Sequence, residues 1–242
     1  MKTNKTALIT GASKGLGYYL AESLALQGWK LLINARNSKE LLTAKKRIAP
    51  LTRVIAIAGN VTDEIHLLEL AEALENNQWQ LDLVVNNASQ LGVTPLTSQR
   101  SSLKPLLKHP VENLHRIFHT NMIAPISLLQ KVQPYLNPQA KIINVSSDAG
   151  VEAYENWGAY GGSKAGLDHL TAILGKENPQ FYFYSFDPGD MRTDMHQAAF
   201  PNEDISDRPF PTEHAVPALL QLIEGVLPSG RYTIHSLEKL PA

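Results

Sequence analysis

The 242-residue chain contains no cysteine. Disulfide scaffolding, thiolate metal sites and thiol nucleophiles are therefore excluded, and the composition fits a reducing compartment. An excess of one charge is also missing: 22 Lys and Arg stand against 23 Asp and Glu, for a net charge of −1. With no basic surplus to hold a phosphate backbone, nucleic acid is not an expected partner. No apolar run approaches the ~18 residues that cross a bilayer. Ala7-Leu8-Ile9 near the start is too brief for the apolar region of a signal peptide. The expectation is a soluble, cytoplasmic chain with no membrane contact.

The first 188 residues hold no repeat, low-complexity tract or linker-like stretch. Short β-type runs alternate there with longer helical patterns, and 43% of the chain is hydrophobic. Strands are expected at Thr6–Thr10, Lys30–Ala35, Arg53–Ala58, Leu81–Asn86, Lys141–Ser146, Phe181–Phe186 and Arg231–His235. Helices are expected over 15–28, 38–49, 63–76, 111–137, 157–176 and 212–227. Alternation of this kind predicts an α/β fold in one domain over 1–242, a Rossmann-type doubly wound and mainly parallel seven-stranded sheet with helices on both faces. Residues 190–211, rich in Pro, Asp, Asn and Met, break the rhythm and read as a mobile lid.

The first strand runs into Thr10-Gly11-Ala12-Ser13-Lys14-Gly15-Leu16-Gly17 and then a helix. Glycines permit a tight turn and close approach of backbone to a pyrophosphate, while a helix N-terminus supplies N–H donors. The second strand ends in Asn34-Ala35-Arg36-Asn37, without the carboxylate that would bind the ribose hydroxyls of NAD. Arg36 and Lys14 instead offer charge-assisted bonds to a 2′-phosphate, so the expected cofactor is NADP(H).

Tyr160 and Lys164 are four residues apart at a helix start, which puts a phenol and an ammonium on one face. A neighbouring ammonium is expected to lower the phenol's pKa from about 10 and make proton transfer feasible near neutrality. Lys141-Ile142-Ile143-Asn144-Val145-Ser146-Ser147 is a buried strand ending in two hydroxyls, at the sheet edge where open α/β folds bind ligands. A hydroxyl there can hold a substrate oxygen while Tyr160 exchanges the proton.

The spacing of the glycine turn resembles the T-G-x-x-x-G-x-G turn of the short-chain dehydrogenase/reductase family, and Ser147, Tyr160 and Lys164 match that family's catalytic spacing. On that resemblance Ser147, thirteen residues before Tyr160, is the expected partner of Tyr160, and Ser146 is expected only to satisfy backbone groups. The resemblance covers about residues 6–194. Asn86-Asn87-Ala88-Ser89 is similar to the family's N-N-A-G, with Ser in place of the last glycine. Asn121 matches an Asn that anchors a proton-relay water. Asp187-Pro188-Gly189-Asp190-Met191-Arg192-Thr193 resembles the segment whose backbone and Thr meet the carboxamide and phosphates. Asn60-Val61 stands where Asp-Val usually flanks the adenine. The resemblance implies catalysis by Asn121, Ser147, Tyr160 and Lys164. It implies cofactor contacts from Gly11, Ser13, Lys14, Gly15, Leu16, Gly17, Arg36, Asn60, Val61, Asn87, Ala88, Tyr160, Lys164, Pro188, Gly189, Met191 and Thr193. The implied reaction moves a hydride between the nicotinamide and a carbonyl or alcohol carbon, more often as reduction, with Tyr160 exchanging the proton.

Two rival readings keep the fold: a nucleotide-sensing protein without turnover, and a dehydratase or epimerase with no net cofactor consumption. No metal is expected, since His115 and His119 are a lone pair without a third ligand. Residues expected to face the substrate (90–108, 148–157, 190–211) predict a small to medium, mostly apolar ketone or aldehyde. Apolar residues on more than one face of the 111–137 and 157–176 helices (Ile123, Leu128, Val132, Leu167 and Leu170) predict a homodimer or homotetramer, since the family assembles through these helices. The thirty-four residues between Asn86 and Asn121 exceed the family's usual connection. They are expected to close over the crevice together with 190–211.

Overall fold

A computed structural model describes residues 5–92 and 103–239. Seven strands, β1 (Thr6–Ile9), β2 (Lys30–Ala35), β3 (Val54–Ala58), β4 (Leu81–Asn86), β5 (Leu136–Val145), β6 (Tyr182–Asp187) and β7 (Gly230–Thr233), form one sheet in the order β3-β2-β1-β4-β5-β6-β7. Every pairing is parallel, and the fold is the Rossmann-type α/β sheet expected from the sequence.

Period-two alternation divides the strands' apolar residues between two cores. Ala7, Ile9, Leu31, Ile33, Val85, Ile143 and Tyr184 point to one side, against α1 (Gly15–Leu26), α2 (Ser38–Ile48) and α8 (Ala215–Glu224). Leu8, Leu32, Val84, Ile142 and Phe183 point to the other, against α3 (Glu64–Asn76) and α5 (Ala124–Val132). A sheet covered on both faces needs strands that are apolar at every position, which is why they read as continuous runs. The strand order reverses between β1 and β4, and the crevice above that point is where a doubly wound sheet accepts a ligand.

The remaining helices are α4 (Val111–Phe118), α6 (Gly158–Glu177), α7 (Asp194–Ala199) and α9 (Ile234–Glu238). Three expectations are corrected. The helix expected over 111–137 is α4, a π-turn at His119–Ile123, α5 and a 3-10 turn at Gln133–Tyr135. Pro125 has no N–H to give the Asn121 carbonyl, so α-helical pairing fails there. β5 begins at Leu136 rather than Lys141, and its first half is irregular: Gln139 has φ +63° and the pairing with β4 slips between Leu81 and Leu83. β7 stops at Thr233 rather than His235, because Thr233 and Ser236 form a capping box that starts α9.

Candidate active site

The glycine turn is fixed from behind by β4. The Asn87 side chain donates to the carbonyls of Thr10 (3.0 Å) and Gly11 (3.1 Å), while the backbone N–H groups of Asn87 and Ala88 donate to the Thr10 hydroxyl. Gly11 has φ +65°, and a methyl group there would lie 2.8 Å from the Asn87 amide nitrogen. A methyl group at Gly17 would lie 2.6 Å from the Gly11 carbonyl oxygen. Gly17 therefore permits close packing of helix on turn and does not itself line the cleft. Asn37 and Asp63 cap α2 and α3 with their side chains, whereas Lys14 at the start of α1 provides no such cap. The first N–H groups of α1 remain open to an anion.

A cleft of about 920 Å³ runs along the carboxyl ends of the strands. It is lined by Gly11, Ser13, Lys14, Gly15 and Leu16 of the turn, and by Arg36, Asn60, Val61, Asn87 and Ala88 on either side of it. Ser147, Tyr160 and Lys164 line its far end, with Pro188, Gly189, Met191 and Thr193 on the opposite wall. Asn121 lies just behind the wall, 1% exposed. Its side chain accepts from the Gln90 N–H (2.9 Å) and the Ser89 hydroxyl (3.1 Å), and donates to the Gln90 carbonyl (3.0 Å) and Ser163 (3.0 Å). The uncapped helix, the glycine cradle and the two cations at one end fit a dinucleotide with an extra phosphate.

Charge at that end is less simple than the sequence implies. Lys14 pairs with Asp194 at 2.8 Å, which, with Glu40, raises the lysine's pKa despite partial burial. Glu40 also lines the cleft and accepts from Ser13 at 3.4 Å. Among the described residues no carboxylate lies within ion-pair distance of Arg36. Glu40 has no distinctive spacing in the sequence; only its place in the first turn of α2 brings it to the cleft.

At the other end, Tyr160 is buried, and burial holds its phenol well above the ordinary value. The hydroxyls of Ser147 and Ser89 act in the opposite direction. The expected lowering by Lys164 is not realised: its ammonium sits 5.5 Å from the centre of the Tyr160 ring and donates to the Val145 carbonyl at 2.7 Å. Lys164 is itself 2% exposed, and desolvation brings its pKa down to about 8. Ser147 donates to Asp148 at 2.9 Å, and Asp148 also receives the Tyr154 hydroxyl. Ser146 lines the cleft, but its buried hydroxyl has no hydrogen-bond partner and satisfies no backbone group, contrary to expectation.

Sequence reasoning missed a cation behind the site. Arg231 on β7 donates to Asp168 (3.0 Å), Asp187 (2.9 Å) and the Ser147 carbonyl (3.1 Å), joining α6, β6 and the end of β5. Nothing in the local pattern of a terminal strand marks such a residue. Above Tyr160, Leu91, Ala149 and Ala199 are buried together with Leu103, Trp157 and Phe200 packed against them. Trp157 contacts Tyr160 and Phe200 at ring distances of 5.7 and 5.9 Å.

An open parallel sheet with a glycine turn at its switch point and a Ser, Tyr and Lys at the same edge defines the nucleotide-binding oxidoreductase class of α/β protein. The short chain dehydrogenase family model matches residues 5–204, and the chain belongs to that family. It is similar to a rhamnolipids biosynthesis 3-oxoacyl-[acyl-carrier-protein] reductase of Pseudomonas aeruginosa (32% identity, covering 72% of this chain and 66% of the relative). It is also similar to a benzil reductase ((S)-benzoin forming) of Saccharomyces cerevisiae (29% identity, with the same 72% and 66%). The matched chain spans just under two thirds of either relative. A short chain dehydrogenase structure from Escherichia coli, complexed with NADPH, superimposes with a TM-score of 0.84 at 23% identity, covering 96% of this chain and 98% of that one. No helix of the described residues is long and apolar enough to cross a membrane.

Proposed function

We propose that the protein is an NADP(H)-dependent carbonyl reductase acting on a small to medium, mostly apolar ketone or aldehyde. The observation that carries this reading is the meeting of Ser147, Tyr160 and Lys164 at one end of a cleft whose other end holds the glycine turn and Arg36. The NADPH-bound neighbour and the two reductase relatives favour the same reading. NADP(H), when bound, supplies or takes up the hydride.

The chain's own residues handle position and the proton. Gly11, Ser13, Gly15 and Leu16 would cradle the pyrophosphate, and Arg36 the 2′-phosphate. Asn60 and Val61 would border the adenine; Pro188, Gly189, Met191 and Thr193 would border the nicotinamide end. Burial keeps the proton on Tyr160 in the ligand-free enzyme, which is the state that reduction requires. Ser147 would turn its O–H from Asp148 to the substrate oxygen and hold it beside that phenol. As negative charge grows on the oxygen, Tyr160 releases its proton, and the nearby Lys164 charge offsets the phenolate left behind. Pro125 removes the α-helical donor to the Asn121 carbonyl, which supports a water-holding role for that carbonyl. The aromatic wall of Tyr154, Trp157 and Phe200 supports an apolar substrate.

The lid reading rests on the same wall, because Leu91 and Leu103 from one flank and Ala199 and Phe200 from the other share one apolar cluster with Tyr160 and Trp157. Part of the first flank, 93–102, lies outside the described residues. Leu128, Val132 and Leu167 are buried in the core rather than offered to a partner, so self-association is proposed from exposed Ile123, together with Val111 and Ile173 on the same helices. Light scattering should give a dimer or tetramer, and a concentration-independent monomer refutes it.

The functional test uses benzil with NADPH. Tyr160→Phe should keep NADPH binding and lose about 10²–10⁴ of the rate. Turnover within a few-fold of wild type refutes the role of Tyr160. NADPH binding without oxidation across a panel of ketones, aldehydes and quinones would favour a sensing or isomerising protein.

A further inference from the structure

The ladder between β5 and β6 ends at Val145 and Phe186, with one further bond from the Ser146 N–H to the Phe186 carbonyl at 2.7 Å. Ser147 and the Pro188-Gly189 turn, the two walls of the site, lie past that point. Arg231 on β7 pairs with Ser185, two residues before Asp187, and its side chain reaches diagonally along the sheet toward the cleft. There its Nη2 donates to both the Ser147 carbonyl (3.1 Å) and the Asp187 carboxylate (2.9 Å). The other Asp187 oxygen accepts from the Gly189 N–H at 3.0 Å and so holds the turn, where Gly189 has φ +61°. The guanidinium is oriented from a third side, since its Nε donates to Asp168 on α6, one helical turn after Lys164. The Asp187 and Asp168 side chains are only 8% and 14% exposed, so these bonds are largely shielded from solvent and salt.

We propose that Arg231 is a positioning residue for hydride transfer: it sets the separation between Ser147, which would hold the substrate oxygen, and the Gly189 turn, which would border the nicotinamide. The proposal rests on the reductase reading. Two bonds that meet on one nitrogen of a planar, rigid fork leave the two walls little freedom to shift against each other. The bond to Asp168 adds α6, so the helix carrying Tyr160 and Lys164 is tied to the same group. Hydride transfer demands this precision, because the reacting atoms must come within about 3–3.5 Å and a misplacement of about 1 Å costs about 10²-fold. Arg231 does not line the cleft, so it acts through its three acceptors and not by contact with either reactant. A lysine at this position would keep the charge but offer a single nitrogen, which cannot occupy the Nε and Nη2 positions together.

The test separates position from stability in Arg231→Lys and Arg231→Met. Thermal unfolding, NADPH affinity by fluorescence titration, and stopped-flow single turnover of NADPH with benzil at saturation are measured for each. NADPH deuterated at the transferring position identifies the hydride phase. In Arg231→Lys the NADPH Kd should stay within about threefold of wild type. The hydride phase of the same variant should slow about 10- to 100-fold. Arg231→Met also leaves two carboxylates without their partner, so it should show the same slowing together with a lower Tm. A hydride phase in Arg231→Lys slowed less than about threefold overturns the proposal. Loss of folding or of NADPH affinity in that variant, to an extent that matches the loss of rate, is what a merely structural arginine would produce and also overturns it. Failure of the reductase reading looks different: Tyr160→Phe would then retain turnover.

Discussion

Lys164 is held in place at a cost to stability, and Lys164→Met makes that cost measurable. The ammonium is 2% exposed, and desolvation lowers its pKa from 10.5 to about 8. That interval corresponds to about 3 kcal/mol of unfavourable burial at pH 7, where both the folded and unfolded states are protonated. Methionine fills similar volume without the charge. It also removes the bond to the Val145 carbonyl, which gives back about 1 kcal/mol. The expected net gain is about 2 kcal/mol, or roughly 4–8 °C in Tm for a chain of this size.

The pH dependence has a definite sign. Between about 8 and 10.5 the folded lysine is neutral while the unfolded one still binds a proton, so the wild type gains stability with rising pH. The advantage of Lys164→Met should be full at pH 7, shrink through that window, and reverse above it, where only the lost hydrogen bond counts. The assay is thermal unfolding of both proteins without cofactor from pH 6.5 to 10.5, alongside loss of reductase activity in the variant. A variant less stable at pH 7, or a gap that does not change with pH, refutes the reasoning.

Arg36→Asp should weaken NADPH by about 1.5–3 kcal/mol, or roughly 10- to 150-fold in Kd, and shift relative preference to NADH; fluorescence titration of both cofactors checks it. Equal affinity of the wild type for NADH and NADPH would count against Arg36 as the phosphate ligand. For the lid, residues 90–110 and 190–211 should gain hydrogen-exchange protection when cofactor and substrate are both bound. No gain in either segment removes the proposal.

Local patterns told most of the fold. Apolar strands without alternation announced a sheet covered on both sides, and their identities placed six of the seven strands to within two residues at both ends, β5 being the exception. The exceptions arose where a single residue overrode the pattern. Pro125 converted a continuous apolar helix into two with a π-turn between them, and Asn137-Pro138-Gln139 concealed the start of β5 because the triplet looks like a turn. The glycine turn and the Ser147, Tyr160 and Lys164 spacing were legible because each depends on a fixed distance along the chain within a strand end or a helix turn.

What the sequence determined by itself was therefore the parallel sheet, the anion-ready turn after β1 and the residue types at the sheet's carboxyl edge. Period and spacing are properties of neighbours in the chain. The electrostatic state of the site was decided only by tertiary structure. Ser89 meets Asn121, Asp194 meets Lys14, and Arg231 meets Asp187 and Asp168 because the strand order sets β4 beside β5 and closes β7 on β6, bringing together groups separated by dozens of residues. Burial likewise belongs to packing. The sequence showed a lysine four residues after a tyrosine and implied an acidified phenol. The folded chain desolvates both groups, so the phenol keeps its proton and the lysine is the group whose pKa is lowered.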